Sequence, residues 1–95
     1  MRERFIERKF VEAVKKKGGF APKFVSPGLD GMPDRIVLFP IGKIAFVELK
    51  APGETMRPLH VRRKRKLEEL GFSVYCVDDV SQIDGVIKEI GGDAR

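Results

Sequence analysis

Residues 34–50 read DRIVLFPIGKIAFVELK, and the fold turns on how this stretch is read. Two β-rich runs, Arg35 to Phe39 and Lys43 to Leu49, flank Pro40-Ile41-Gly42, the composition of a hairpin with a short glycine-containing loop. A strand sends alternate side chains to one face, so Glu48 and Lys50 point together while Val47 and Leu49 point into the opposite, apolar layer. If Phe39 and Lys43 flank a three-residue loop, opposed residues have numbers summing to 82. Asp34 then lies directly across from Glu48, with Cβ atoms ~5 Å apart. A loop one residue shorter or longer would take Asp34 off that face, so the register is a test of the reading.

Two carboxylates that close repel unless a cation or a proton lies between them, and a hard divalent ion with oxygen ligands meets the need. Lys50, two residues after Glu48 on the same face, can neutralise further charge and orient a water. A magnesium or manganese ion held this way can polarise a phosphate oxygen and lower the pKa of a bound water, so phosphodiester hydrolysis is the expected chemistry. The competing reading is a surface salt bridge between Glu48 and Lys50 with Asp34 capping a turn. Gly31-x-Pro33-Asp34-Arg35 before the partner strand and a hairpin of compatible length favour the catalytic reading.

Outward from the hairpin, residues 3 to 17 predict an amphipathic helix with Ile6, Phe10, Ala13 and Val14 on its apolar face, stopped by Gly18-Gly19. Lys23-Phe24-Val25 reads as a short strand, and Ser26 to Pro33 as an ordered loop. Beyond the hairpin, the loop Ala51 to Arg57 leads to a helix that Pro58 opens and Gly71 closes. Ser73 to Val77 is a further strand. Ser81 is placed to cap a last helix carrying Ile83, Val86, Ile87 and Ile90. The predicted order is α-β-β-β-α-β-α, without repeats.

The 95 residues predict one domain, 1–95, with a modest core that a homodimer would enlarge. A net charge of +5 and a pI near 9.6 suit a polyanionic partner, although nucleic acid, an anionic membrane and acidic protein all qualify. The single cysteine, Cys76, excludes an internal disulfide, and its neighbours Val74, Tyr75 and Val77 suggest a strand thiol rather than a nucleophile. No apolar stretch approaches the ~20 residues that span a bilayer, and Met1-Arg2-Glu3-Arg4 leads into a charged helix. A soluble protein of the cytoplasm, not a membrane protein, is therefore expected.

Gly31-Met32-Pro33-Asp34-Arg35 with Phe46-Val47-Glu48-Leu49-Lys50-Ala51-Pro52-Gly53 resembles the VRR-NUC (virus-type replication-repair nuclease) domain, a branch of the PD-(D/E)xK phosphodiesterase superfamily. The similarity extends over nearly the whole chain, including Glu7, Lys23 to Gly28 and Leu67 to Gly71. The resemblance implies an α/β fold with a restriction-endonuclease-like core, a central mixed sheet flanked by helices. It implies a Mg2+- or Mn2+-dependent endonuclease for branched or structured DNA, of Holliday-junction or flap type, in a bacterial or phage-infected cell. Asp34, Glu48 and the Leu49 carbonyl would bind the metal, Lys50 would position the attacking water, and Glu7 would support the metal's water shell. A non-catalytic nucleic-acid-binding module of the same fold is the alternative.

Helical spacing places Glu7 within the buried arc of the first helix, where a carboxylate needs a partner or a metal; Glu3 shares that arc but lies in a turn that can fray. The family's usual Pro-x-Gln after the catalytic strand reads Pro58-Leu59-His60 here. His60 can donate to phosphate or water, and can equally be a boundary residue. In the basic run from Arg57 to Lys66, Arg62 and Arg63 are candidates for phosphate contact, each weighed against an ordinary solvated charge. Lys23 would add positive potential near the scissile phosphate, or be an exposed strand residue. Arg35 should point to the opposite face from Asp34 and is left outside the catalytic set. Phe10, Phe24, Phe39, Phe46 and Phe72 fit core positions, so DNA contact should be mainly to backbone and shape.

Overall fold

The computed structural model describes residues 2–91. Its elements are α1 (Glu3–Lys16), β1 (Arg35–Phe39), β2 (Lys43–Leu49), α2 (Pro58–Glu69), β3 (Ser73–Val77), a 3-10 turn (Val80–Gln82) and α3 (Ile83–Ile90). The strands lie in the order β1-β2-β3. β1 and β2 pair antiparallel with Phe39 opposite Lys43 and Arg35 opposite Val47, the register that sums to 82. β2 and β3 run parallel, with Glu48 opposite Cys76 and Leu49 opposite Val77, and α2 makes the crossover between them. The register is the one the hairpin reading predicts, and the mixed sheet flanked by helices is the one the family resemblance implies.

Alternation along β2 divides the interior. Ala45, Val47 and Leu49 are buried with Ile6, Phe10 and Val14 of α1 and with Ile83, Ile87 and Ile90 of α3. Phe46 faces the other way, into a smaller cluster with Leu67 of α2 and Val74 of β3, which Phe24, Met32 and Ile36 border. The helix end at Gly71 serves that second cluster. With φ +97 at Gly71, its N–H reaches Glu68 O and the N–H of Phe72 reaches Leu67 O, closing a Schellman motif. The turn delivers Phe72 edge-on to Phe46, ring centroids 5.9 Å apart.

Two expectations are corrected. Lys23-Phe24-Val25 is not a strand: the segment touches the edge of β1 only through isolated bridges, Phe20 to Leu38 and Lys23 to Arg35. Pro22 stands between them and has no N–H to donate, so a continuous ladder cannot form. The element order is accordingly α-β-β-α-β-α, with the 3-10 turn before α3. Nor does Ser81 cap the last helix. Asp79 is the N-cap of the 3-10 turn, its carboxylate accepting from the Ser81 N–H at 3.3 Å while Gln82 Oε1 accepts from the Asp79 N–H at 3.2 Å. The earlier acidic residue accepts more strongly than a hydroxyl and so sets the start.

Candidate active site

Asp34 immediately precedes β1, and its place is set from both sides. Its carbonyl accepts from the Phe24 N–H at 2.8 Å. Its carboxylate Oδ2 accepts from the Leu49 N–H at 2.8 Å, which carries the side chain across to the end of β2. The loop ahead of it is docked on α2: Arg63 Nε donates to the Asp30 carbonyl at 2.8 Å. Gly31, at φ +86, lies so close to that helix that a Cβ would meet Leu59 Cγ at 2.6 Å. Only glycine meets both demands.

Glu48 is 1% exposed, the only charged residue in the buried class among the described residues. Lys50 Nζ stands 3.4 Å from its Oε2, and Lys50 is held in register by its N–H bond to Val77 O at 2.9 Å. His60 Nδ1 stands 2.6 Å from the same oxygen. Both Glu48 oxygens and His60 Nδ1 are nevertheless buried without a hydrogen bond of acceptable geometry, so the His60 approach is a contact of opposed polarity rather than an aligned bond. A buried carboxylate left in this state is costly. Burial, and then the charge of Asp34, push the Glu48 carboxyl above its usual range, against the pull of His60 and Lys50.

The same field reaches two neighbours. Burial and the Glu48 charge raise the Cys76 thiol, which disfavours the thiolate and leaves a poor nucleophile. Partial burial and then Asp34 raise the Glu3 carboxyl, while Lys50 lowers it. Glu3 thus belongs to the electrostatic surroundings of the site, which periodicity in the first turn of α1 could not tell from fraying.

Glu7 is engaged with Arg35, whose Nη2 lies 2.9 Å and Nε 3.0 Å from Glu7 Oε2, while Arg35 Nη1 donates to the Ala21 carbonyl at 2.8 Å. Glu7 also lines, with Glu3, Lys23 and Asp34, a hollow of about 300 Å³ between the start of α1 and the loop that leads into β1. Lys23 and Arg62 are exposed. Arg63 is occupied by its bond to the loop carbonyl. His60, expected among the phosphate contacts, lies against Glu48 instead, with a side chain 22% exposed.

The donor set suits a divalent ion. Among the described residues no three acidic, histidine or cysteine side chains already converge as a metal cluster. The two carboxylates and the Leu49 carbonyl would therefore make only part of a shell, the remainder being water, as is usual for magnesium. The unpartnered Glu48 oxygens are the observation that calls for a cation.

No family model matches the chain. It is 51% identical over 85 residues to "Putative nuclease p44" of Acyrthosiphon pisum secondary endosymbiont phage 1, which covers 87% of this chain and 91% of that protein. It is also similar to a solved structure described as a VRR-NUC domain, with a TM-score of 0.85 and 29% sequence identity over 90% of this chain and 94% of the other. Among the described residues no helix is long and apolar enough to cross a membrane.

Proposed function

The chain belongs to the VRR-NUC domain family, and we propose that it is a nuclease that hydrolyses DNA phosphodiester bonds with a divalent ion held at Asp34, Glu48 and the Leu49 carbonyl. One observation carries the reading: a buried carboxylate with no aligned hydrogen bond, beside a lysine and the charge of a second carboxylate, Asp34, which itself lines a hollow open to solvent. Mg2+ or Mn2+ bound there would supply Lewis acidity toward phosphate and water. The protein's own residues do the positioning. Asp34 is oriented by the Leu49 N–H, so the two strand ends hold their donors at fixed separation. Lys50, tied to β3 through its N–H, holds an ammonium where the attacking water and the phosphate must meet.

Exposed Lys23, which lines the hollow with Asp34, and exposed Arg62 on α2 are among the cations available to the phosphate backbone, and Arg63 shapes the loop that carries Asp34. Glu7 acts through Arg35 and the lining of the hollow. Contacts made to backbone rather than bases favour branched or structured DNA, where shape distinguishes the substrate. A homodimer would place two such centres for paired cuts, in the cytoplasm of a bacterial or phage-infected cell. The experiment is incubation of the purified protein with end-labelled linear, flap, fork and four-way-junction DNA, with Mg2+, Mn2+ or chelator. Metal-dependent cleavage that favours the branched substrates and disappears in Lys50→Ala is expected. Binding without cleavage under every condition would leave a non-catalytic DNA-binding module in its place.

A further inference from the structure

His60 is the only histidine in the chain. It lies in the first turn of α2, just after Pro58, and its Nδ1 is turned inward onto Glu48 Oε2 rather than outward to solvent. Both atoms are buried, lie 2.6 Å apart, and have no properly aligned partner. Two ligands of one ion, each about 2.1 Å from it and at right angles, lie about 3 Å apart, so a small withdrawal would admit a cation between them. Asp34 has given one oxygen to the Leu49 N–H, and since the three side chains do not already converge on one point, the ion itself would have to draw Asp34 in beside Glu48 and His60.

We propose that His60 Nδ1 is a direct ligand beside Asp34 and Glu48, and that it biases the centre toward manganese and similar first-row ions over magnesium. This rests on the metal-dependent reading above and names the ion class for the same site. Magnesium keeps almost wholly to oxygen donors, whereas first-row transition ions accept an imidazole nitrogen, manganese the most weakly of that series. Docking of α2 supports the geometry: Leu59 packs on Gly31 and Arg63 grips Asp30, so the turn carrying His60 is anchored to the loop carrying Asp34.

The test uses the full chain labelled with 15N only at histidine, loaded with Mn2+ and read by electron spin-echo modulation. A single histidine makes the assignment unambiguous without any substitution. The expected result is a directly coordinated nitrogen whose modulation changes from the 14N to the 15N pattern, is absent in His60→Gln, and is accompanied by roughly a tenfold fall in the variant's Mn2+-over-Mg2+ affinity ratio. Bound Mn2+ without histidine nitrogen coupling, and with an unchanged ratio in His60→Gln, would overturn the ligand assignment while leaving the two-carboxylate centre standing. A parent protein that binds no Mn2+ at all would overturn the metal-dependent reading itself.

Discussion

Alternate residues of the seven-residue strand β2 face two different interiors. On one side Ala45, Val47 and Leu49 meet α1 and α3 in a dry layer made of aliphatic and aromatic side chains. On the other, Phe46 is packed against Leu67 and Val74, but the next position on that side is Glu48 and the one after it Lys50. Both sides bury their residues; only one buries a charge. The difference teaches where stability and reactivity are kept apart: the layer under α1 and α3 supports the strand, so the side under α2 can hold a buried carboxylate that Lys50 only partly offsets. Proteins that place strain or unpaired charge at a functional centre need that support elsewhere.

The largest effect should come from breaking the charged side. Asp34→Asn or Glu48→Gln is expected to slow cleavage on the order of ten-thousandfold, about 5 kcal/mol of transition-state stabilisation, in single-turnover assays with folding intact. Breaking the dry side should do the reverse. Phe10→Ala removes a fully buried ring and should cost about 3–5 kcal/mol in urea unfolding, while the metal affinity of the folded fraction is retained.

A smaller effect separates the sides by pH. Because the Glu48 carboxyl is raised, the metal-free fold binds its proton more tightly than the unfolded chain does. The stabilisation is fully present below the ordinary carboxylate pKa and is lost as pH rises through the raised value. Metal binding has the opposite sign, since it needs the carboxylate. Ion affinity should fall about tenfold per pH unit below that raised pKa, to the extent that this one proton competes, and level off above it in calorimetric titrations.

The smallest effect lies in the turn, which belongs to neither side. Ile41 holds φ +69 and is 86% exposed, a β-branched residue in a left-handed conformation with nothing to pack against. Ile41→Asn should stabilise the hairpin by about 1 kcal/mol, read as a higher unfolding midpoint, with unchanged cleavage.

Much of the fold was legible because it rests on local periodicity and on one short loop. Pro40-Ile41-Gly42 sets the register, alternation assigns Val47 and Glu48 to opposite layers, and helical spacing finds Ile6, Phe10 and Val14. Pro22 interrupts the predicted edge strand for a reason also visible in the chain, the missing N–H. The contacts between elements were not legible. α2 carries basic residues on almost every face and buries only Leu67, so its periodicity does not tell how it crosses the sheet. That crossing is what turns His60 onto Glu48 and Arg63 onto the Asp30 carbonyl. Glu7 was legible as a carboxylate needing a partner, but its pairing with Arg35 depends on how α1 meets the edge of β1.

The most direct test is thermal unfolding of the parent and of Glu48→Gln at neutral pH, each with and without Mn2+. Without the ion the variant should be the more stable of the two by about 1–3 kcal/mol, because burial and Asp34 disfavour the Glu48 charge more than Lys50 and His60 offset it. With the ion the parent should rise in unfolding temperature and the variant should stay where it was. A variant that melts lower than the parent without the ion, and shifts as much as the parent with it, would contradict the claim that Glu48 is a buried carboxylate awaiting a cation.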